Sequence, residues 1–155
     1  MTKKCDNKSV GMLVWKERSL LLIERKKPPF GFAPPAGHIY GDNSFEESAK
    51  RELKEEVGLE TQNLKLLIEG RKENPCRREG ASWHYCKIYQ IEATGEIKRS
   101  EEETKRAIFY KKDDLLLLAS KTEKYLRGDI EQNNWEKSPG LEPVWYEWLK
   151  ELKII

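Results

Sequence analysis

The chain has 155 residues, enough for one compact α/β domain over 1–155 and too few for a sizeable second one. Apolar residues make up 37% and charged residues 36%, and hydrophobic runs recur from Val10 to Ile155, which excludes global disorder. A net charge of +2 is too small for a nucleic-acid scaffold, so nucleic acid is not an expected partner.

The first residues, Met1 to Asn7, carry no apolar stretch behind their lysines, so no signal peptide is expected there. Leu115 to Ala119 is the densest apolar run and is far too short to span a membrane. Three cysteines (Cys5, Cys76 and Cys86) cannot all pair within one chain, and a reducing cytoplasm is the expected location.

Val10 to Trp15 and Leu20 to Glu24 are β-favouring runs around the polar turn Lys16-Glu17-Arg18-Ser19, which predicts a hairpin. Lys26 to Pro35 holds four prolines around Phe30, Gly31 and Phe32, which predicts a rigid loop with outward aromatic rings. A second loop, Gly37 to Asn43, leads into Ser44-Phe45-Glu46-Glu47, a capping box with Ser44 as N-cap. Phe45, Ala49, Leu53 and Val57 recur every four residues as the buried stripe of the helix that follows, and Gly58 sits where a left-handed C-cap belongs. Beyond it, Leu64 to Ile68, Trp83 to Ile91 and Ala107 to Tyr110 are strand candidates. Asp113 to Leu126 and Glu142 to Leu152 are helix candidates. This alternation predicts a mixed sheet between helices.

Glu52, Glu55 and Glu56 share one face of the first helix, where like charges at this spacing repel. Taken alone, the pattern favours a solvated Lys/Glu-rich surface. A hard divalent cation that takes carboxylate and phosphate oxygens would offset the repulsion. The preceding loop decides between these readings. From Gly37 to Leu59 the chain resembles the Nudix hydrolase signature: glycine, five residues, glutamate, seven residues, Arg-Glu, an aliphatic residue, any residue, Glu-Glu, any residue, glycine and an aliphatic residue. Gly37, Arg51, Glu52, Leu53, Glu55, Glu56, Gly58 and Leu59 fall in register. Asn43 stands where the signature has its first glutamate.

The resemblance implies an α/β/α sandwich and hydrolysis of a nucleoside diphosphate linked to a further moiety X, with Mg²⁺ or Mn²⁺. It implies Glu52, Glu55 and Glu56 as metal ligands, with Gly37 counted at the metal site and Glu52 also able to orient the attacking water. Arg51 would brace loop against helix. Asparagine at 43 brings no charge to that brace, and Asp42 or Glu46 can compensate. The family often adds a carboxylate from a later loop. Glu103, in Glu101-Glu102-Glu103, is the candidate, beside the plain reading of an exposed acidic turn.

Outside the signature, Arg77 and Arg78 are candidates to grip phosphate. Phe30 and Phe32, ahead of Trp83 and Tyr40, are candidates to stack on a base. His84 and Cys86 alternate along one strand and, with Cys76, raise a zinc reading. The spacing lacks a paired Cys or His unit, and Cys5 is remote, so a half-buried strand is the sounder expectation. Trp145 is expected under the sheet or across a homodimer contact. Two other functions stand beside a pyrophosphohydrolase acting on a small nucleotide. One is a nucleotide-sensing module weakened in catalysis, on the ground of Asn43; the other is an RNA 5′-end processing enzyme.

Overall fold

The computed structural model describes residues 5–74, 76 and 82–155. The hairpin forms from β1 (Lys8–Lys16) and β2 (Ser19–Arg25), with Trp15 opposite Leu20 and Lys16 opposite Ser19. Its two-residue turn places Glu17 and Arg18 at φ 50 and 66, the left-handed pair that matches strand twist. Two short strands follow, β3 (Phe32–Ala33) and β4 (Ala36–His38), then helix α1 (Phe45–Val57). Strands β5 (Glu60–Glu73), β6 (Trp83–Thr94) and β7 (Thr104–Tyr110) precede α2 (Lys112–Leu126), α3 (Gln132–Lys137) and α4 (Pro143–Glu151).

The sheet is mixed. Its order is β3-β2-β1-β6-β5, with β4 on β1 and β7 on β2. The β1–β6 pair is parallel over seven positions from Lys8↔Tyr85 to Val14↔Ile91, and the other pairs are antiparallel. Strand alternation separates two cores. Val10, Met12, Leu21, Ile23, Tyr89 and Ile91 pack with Ala49, Leu53 and Val57 of α1. Leu13, Leu20, Leu22 and Ile88 pack with Leu115, Trp145 and Leu149 of α2 and α4 on the other face. The architecture is therefore the expected sandwich of a mixed sheet between helices.

Helix α1 starts as its cap sequence dictates. Ser44 accepts a hydrogen bond from the Glu47 amide at 3.1 Å, and Glu47 reaches back to the Asn43 amide at 3.2 Å. It ends on Gly58 at φ 77, whose amide donates to the Lys54 carbonyl at 2.9 Å. Ala49, Leu53 and Val57 are fully buried, so the apolar stripe fixes which face α1 turns to the sheet.

Two expectations need correction, and one helix was not expected. Phe32 is buried with its ring edge against Tyr110, because β3 pairs with β2 while Phe32 also exchanges backbone hydrogen bonds with Gly140 and Glu142. Its ring therefore faces the core, not a substrate. Strand β5 is far longer than Leu64 to Ile68: its side chains are largely polar and charged at the sheet edge, so alternation is invisible and pairing with β6 alone defines it. Helix α3 is too short to show a period and is held by Trp135, buried and stacked on Tyr125 at 4.0 Å. Trp145 packs in the core beneath the sheet. No helix among the described residues is long and apolar enough to cross a membrane.

Candidate active site

A cleft of about 420 Å³ opens beside α1, with Gly37, Arg51, Glu52, Glu55, Glu56 and Glu103 all on its lining. The stripe that buries Leu53 turns Glu52 and Glu56, one turn apart, toward this cleft. Glu103 arrives from a distant loop held at both ends. The Ser100 amide donates to the Glu56 carbonyl at 2.8 Å, and the Lys26 amide donates to the Glu103 carbonyl at 3.0 Å. Glu101 and Glu102 are exposed, whereas Glu103 is half-buried, which singles it out from its run.

Burial and charge explain the state of these carboxyls. Burial pushes Glu52 up to about 7 against the opposing pull of Arg51. Burial, with repulsion from Glu52, pushes Glu56 up to about 8. Glu103 adds to the repulsion on both. Glu55 is more exposed and takes a hydrogen bond from Arg51 at 3.2 Å.

Arg51 ties loop to helix. Its guanidinium donates to Asp42 Oδ2 at 2.9 Å, to Glu52 Oε1 at 2.9 Å and to the His38 carbonyl at 3.0 Å. Burial opposes its charge, and the Asp42 and Glu52 carboxylates more than offset that. Asp42 also accepts from the Ser48 hydroxyl at 2.6 Å, and that bond together with Arg51 holds its carboxyl below the usual range. The charge missing at Asn43 is thus supplied one residue earlier. Glu46 is engaged elsewhere, with Tyr89 at 3.0 Å.

Gly37 completes the wall. A Cβ there would meet the Glu52 carboxyl carbon at 2.1 Å, so any larger residue would require Glu52 or β4 to shift. The donor set fits a hard divalent cation: oxygen groups only, two of them crowded and disfavoured as bare anions, in a space that glycine keeps open.

Phe30 and Phe32 do not line the cleft; Tyr40 does. Arg77 and Arg78 lie outside the described residues. Sequence reasoning missed Arg25, Lys27 and Lys72, the lysine and arginine side chains that share the lining with Arg51. The basic run at 25–27 was the available signal, but nothing in it tells which charges turn inward. Arg25 Nε and Glu142 Oε2 are buried 3.8 Å apart, each without a hydrogen-bond partner among the described residues.

Known proteins share this domain and its fold. The family model for the NUDIX domain matches residues 6–129. An ADP-ribose pyrophosphatase of Methanocaldococcus jannaschii is 29% identical over 128 residues, covering 81% of this chain and 74% of that protein. A NUDIX hydrolase from Nitrosomonas europaea superposes with TM-score 0.65 at 15% identity, over 97% of this chain and 89% of its own. The NUDIX domain of Shewanella oneidensis NrtR, complexed with ADP ribose, gives TM-score 0.58 at 17% identity, over 76% and 79%. With most of its length matched and its fold shared, the chain belongs to the Nudix family of hydrolases.

Proposed function

We propose that this Nudix hydrolase cleaves the diphosphate linkage of a nucleoside diphosphate joined to a further moiety, with ADP-ribose-type compounds as the first substrates to test. The observation that carries the reading is the meeting of Glu52, Glu56 and Glu103, from two remote segments, in one cleft opposite Gly37. Likeness to an ADP-ribose pyrophosphatase supports the substrate class.

Glu52, Glu55 and Glu56 would hold Mg²⁺, or Mn²⁺, through oxygen ligands, with Glu103 as a further carboxylate at the same site. When bound, the cation supplies charge neutralisation for phosphate oxygens and a lowered pKa for water. Glu52, raised toward neutrality by burial, is suited to orient a water and accept its proton. Arg51 and Asp42 hold the loop so that Gly37 stays against Glu52. Arg25, Lys27 and Lys72 bring positive charge to the cleft for a diphosphate. Three cysteines, which cannot all pair within one chain, support a cytoplasmic location.

Against the sensing-module reading, which rests on Asn43, stands the carboxylate that Asp42 gives Arg51. The test is turnover of ADP-ribose, sugar nucleotides, dinucleoside polyphosphates and nucleoside triphosphates with Mg²⁺, followed by product chromatography. Release of a nucleoside monophosphate or pyrophosphate, reduced about 10²–10⁴-fold in Glu56→Gln, is expected. Tight nucleotide binding without turnover across the panel would overturn it.

A further inference from the structure

Beside the carboxylate site, and outside the signature's chemistry, four soft-metal donors converge. Cys5, His38, Cys76 and His84 each offer one ligand atom, and the four atoms lie within 4.8 Å of one another. Cys5 Sγ is 3.1 Å from His84 Nε2 and 3.4 Å from His38 Nε2, and Cys76 Sγ is 3.5 Å from His38 Nε2. A tetrahedral zinc with ordinary Zn–S and Zn–N bonds separates its ligand atoms by about 3.3–3.8 Å. Three of the separations lie at or just under that range and the rest within 4.8 Å, so small side-chain shifts would close a shell around a cation.

The donors come from four chain segments, which is why no paired motif announces them. Parallel pairing of β1 with β6 carries the Tyr85 amide to the Asn7 carbonyl at 2.8 Å, which sets Cys5 beside His84. Strand β4 pairs with β1 at Ser9↔His38, bringing the second imidazole. Asn7, at φ 60, turns the chain back and donates its side-chain amide to the Trp83 carbonyl at 3.0 Å. Cys86 lies on the same strand as His84 but is not part of the cluster.

Surrounding groups prepare the donors. His84 Nδ1 faces Asn74 Oδ1 at 3.0 Å, so a proton on Nδ1 leaves the Nε2 lone pair for a metal. The Asn7 amide points at Cys5 Sγ at 3.4 Å, a contact that favours a thiolate. Asp6 Oδ2 accepts from the Tyr40 amide at 2.9 Å, and the Tyr40 ring stacks on His38 at 4.8 Å. All four positions are filled by protein, which is the pattern of a structural centre.

We propose that Cys5, His38, Cys76 and His84 bind one structural zinc ion, which ties the N-terminal segment and the end of β5 to the catalytic loop. Its leverage on that loop is direct: His38 follows Gly37, and its carbonyl accepts from Arg51. The hydrolytic cation and this one differ in chemistry, oxygen donors against sulfur and nitrogen, so each can be lost separately.

The test is metal content by mass spectrometry on protein purified without chelator and reconstituted with zinc, together with the visible spectrum of the cobalt-substituted chain. One zinc per chain is expected in the parent, in Cys86→Ser and in the turnover-deficient Glu56→Gln. Cys76→Ser and His84→Ala should retain less than about a tenth of it. Asn74→Ala should bind zinc about 10–100-fold more weakly. If the ligand variants do not fold, the parent's cobalt spectrum decides, with tetrahedral bands and thiolate charge transfer expected. Zinc well below one per chain after reconstitution, an octahedral cobalt spectrum, or a Cys5–Cys76 disulfide in freshly purified reduced-cell protein would each overturn the proposal. Glu56→Gln separates the two readings, since failure of the hydrolytic one leaves zinc content untouched.

Discussion

Asp42 Oδ2 lies 2.8 Å from the Arg51 guanidinium and 2.6 Å from the Ser48 hydroxyl, so one carboxylate oxygen clasps the loop onto the first turns of α1. Asp42→Ala should lower stability by about 1 kcal/mol, a modest figure because the pair is partly solvated. It should depress kcat more than KM, since Arg51 would no longer hold the loop. Asn43→Glu should change kcat less than Asp42→Ala does, because the partner position is already taken. Steady-state kinetics on both variants check this; a large gain in Asn43→Glu would contradict it.

Gly37→Ala would drive a methyl into the Glu52 carboxyl group, with a would-be contact of 2.1 Å. Relief requires Glu52 or β4 to move, and displacement by about 1 Å at a reacting centre costs about 10²-fold in rate. Kinetics together with a thermal melt check it. A lowered kcat with a melting temperature close to the parent's is expected.

In the metal-free chain, Glu52 and Glu56 stand at about 7 and about 8 against an ordinary 4.5. The folded state therefore holds these protons more tightly than the unfolded one. Their contribution to stability is fully present below about pH 4.5 and is lost as pH rises through 7 to 8. A divalent cation needs the deprotonated pair, so its stabilisation grows over the same window. The rise in Tm on adding Mg²⁺ should be larger above pH 8 than below pH 7. Melts across that range measure it, and a gain that shrinks with pH would refute the pairing.

Leu53 is fully buried between α1 and the sheet, on the residue next to Glu52. Leu53→Ala should destabilise by about 2–5 kcal/mol through lost burial and a residual cavity. Denaturant unfolding gives the value, and binding of Mg²⁺ by the fraction still folded should persist.

The sequence by itself determined what depends on near neighbours. The two runs around Lys16–Ser19 specify a hairpin, the Ser44–Glu47 box starts α1, the four-residue stripe orients it, and Gly58 ends it. Because Glu52 and Glu56 ride on that same helix, their common direction was legible too. Tertiary structure decided whatever depends on residues far apart in the chain. Parallel pairing of β1 with β6 brings Cys5 to His84, and the contacts of Phe32 with Gly140 and Glu142 turn its ring inward. Two backbone hydrogen bonds set Glu103 rather than its neighbours at the cleft. Even the replacement for the missing glutamate belongs to this second class. Asp42 and Glu46 were equal candidates by position, and the loop's path between Gly37 and Ser44 aims only Asp42 at Arg51. Local periodicity and capping act over a few residues, whereas side-chain direction across strands is fixed only when the sheet closes.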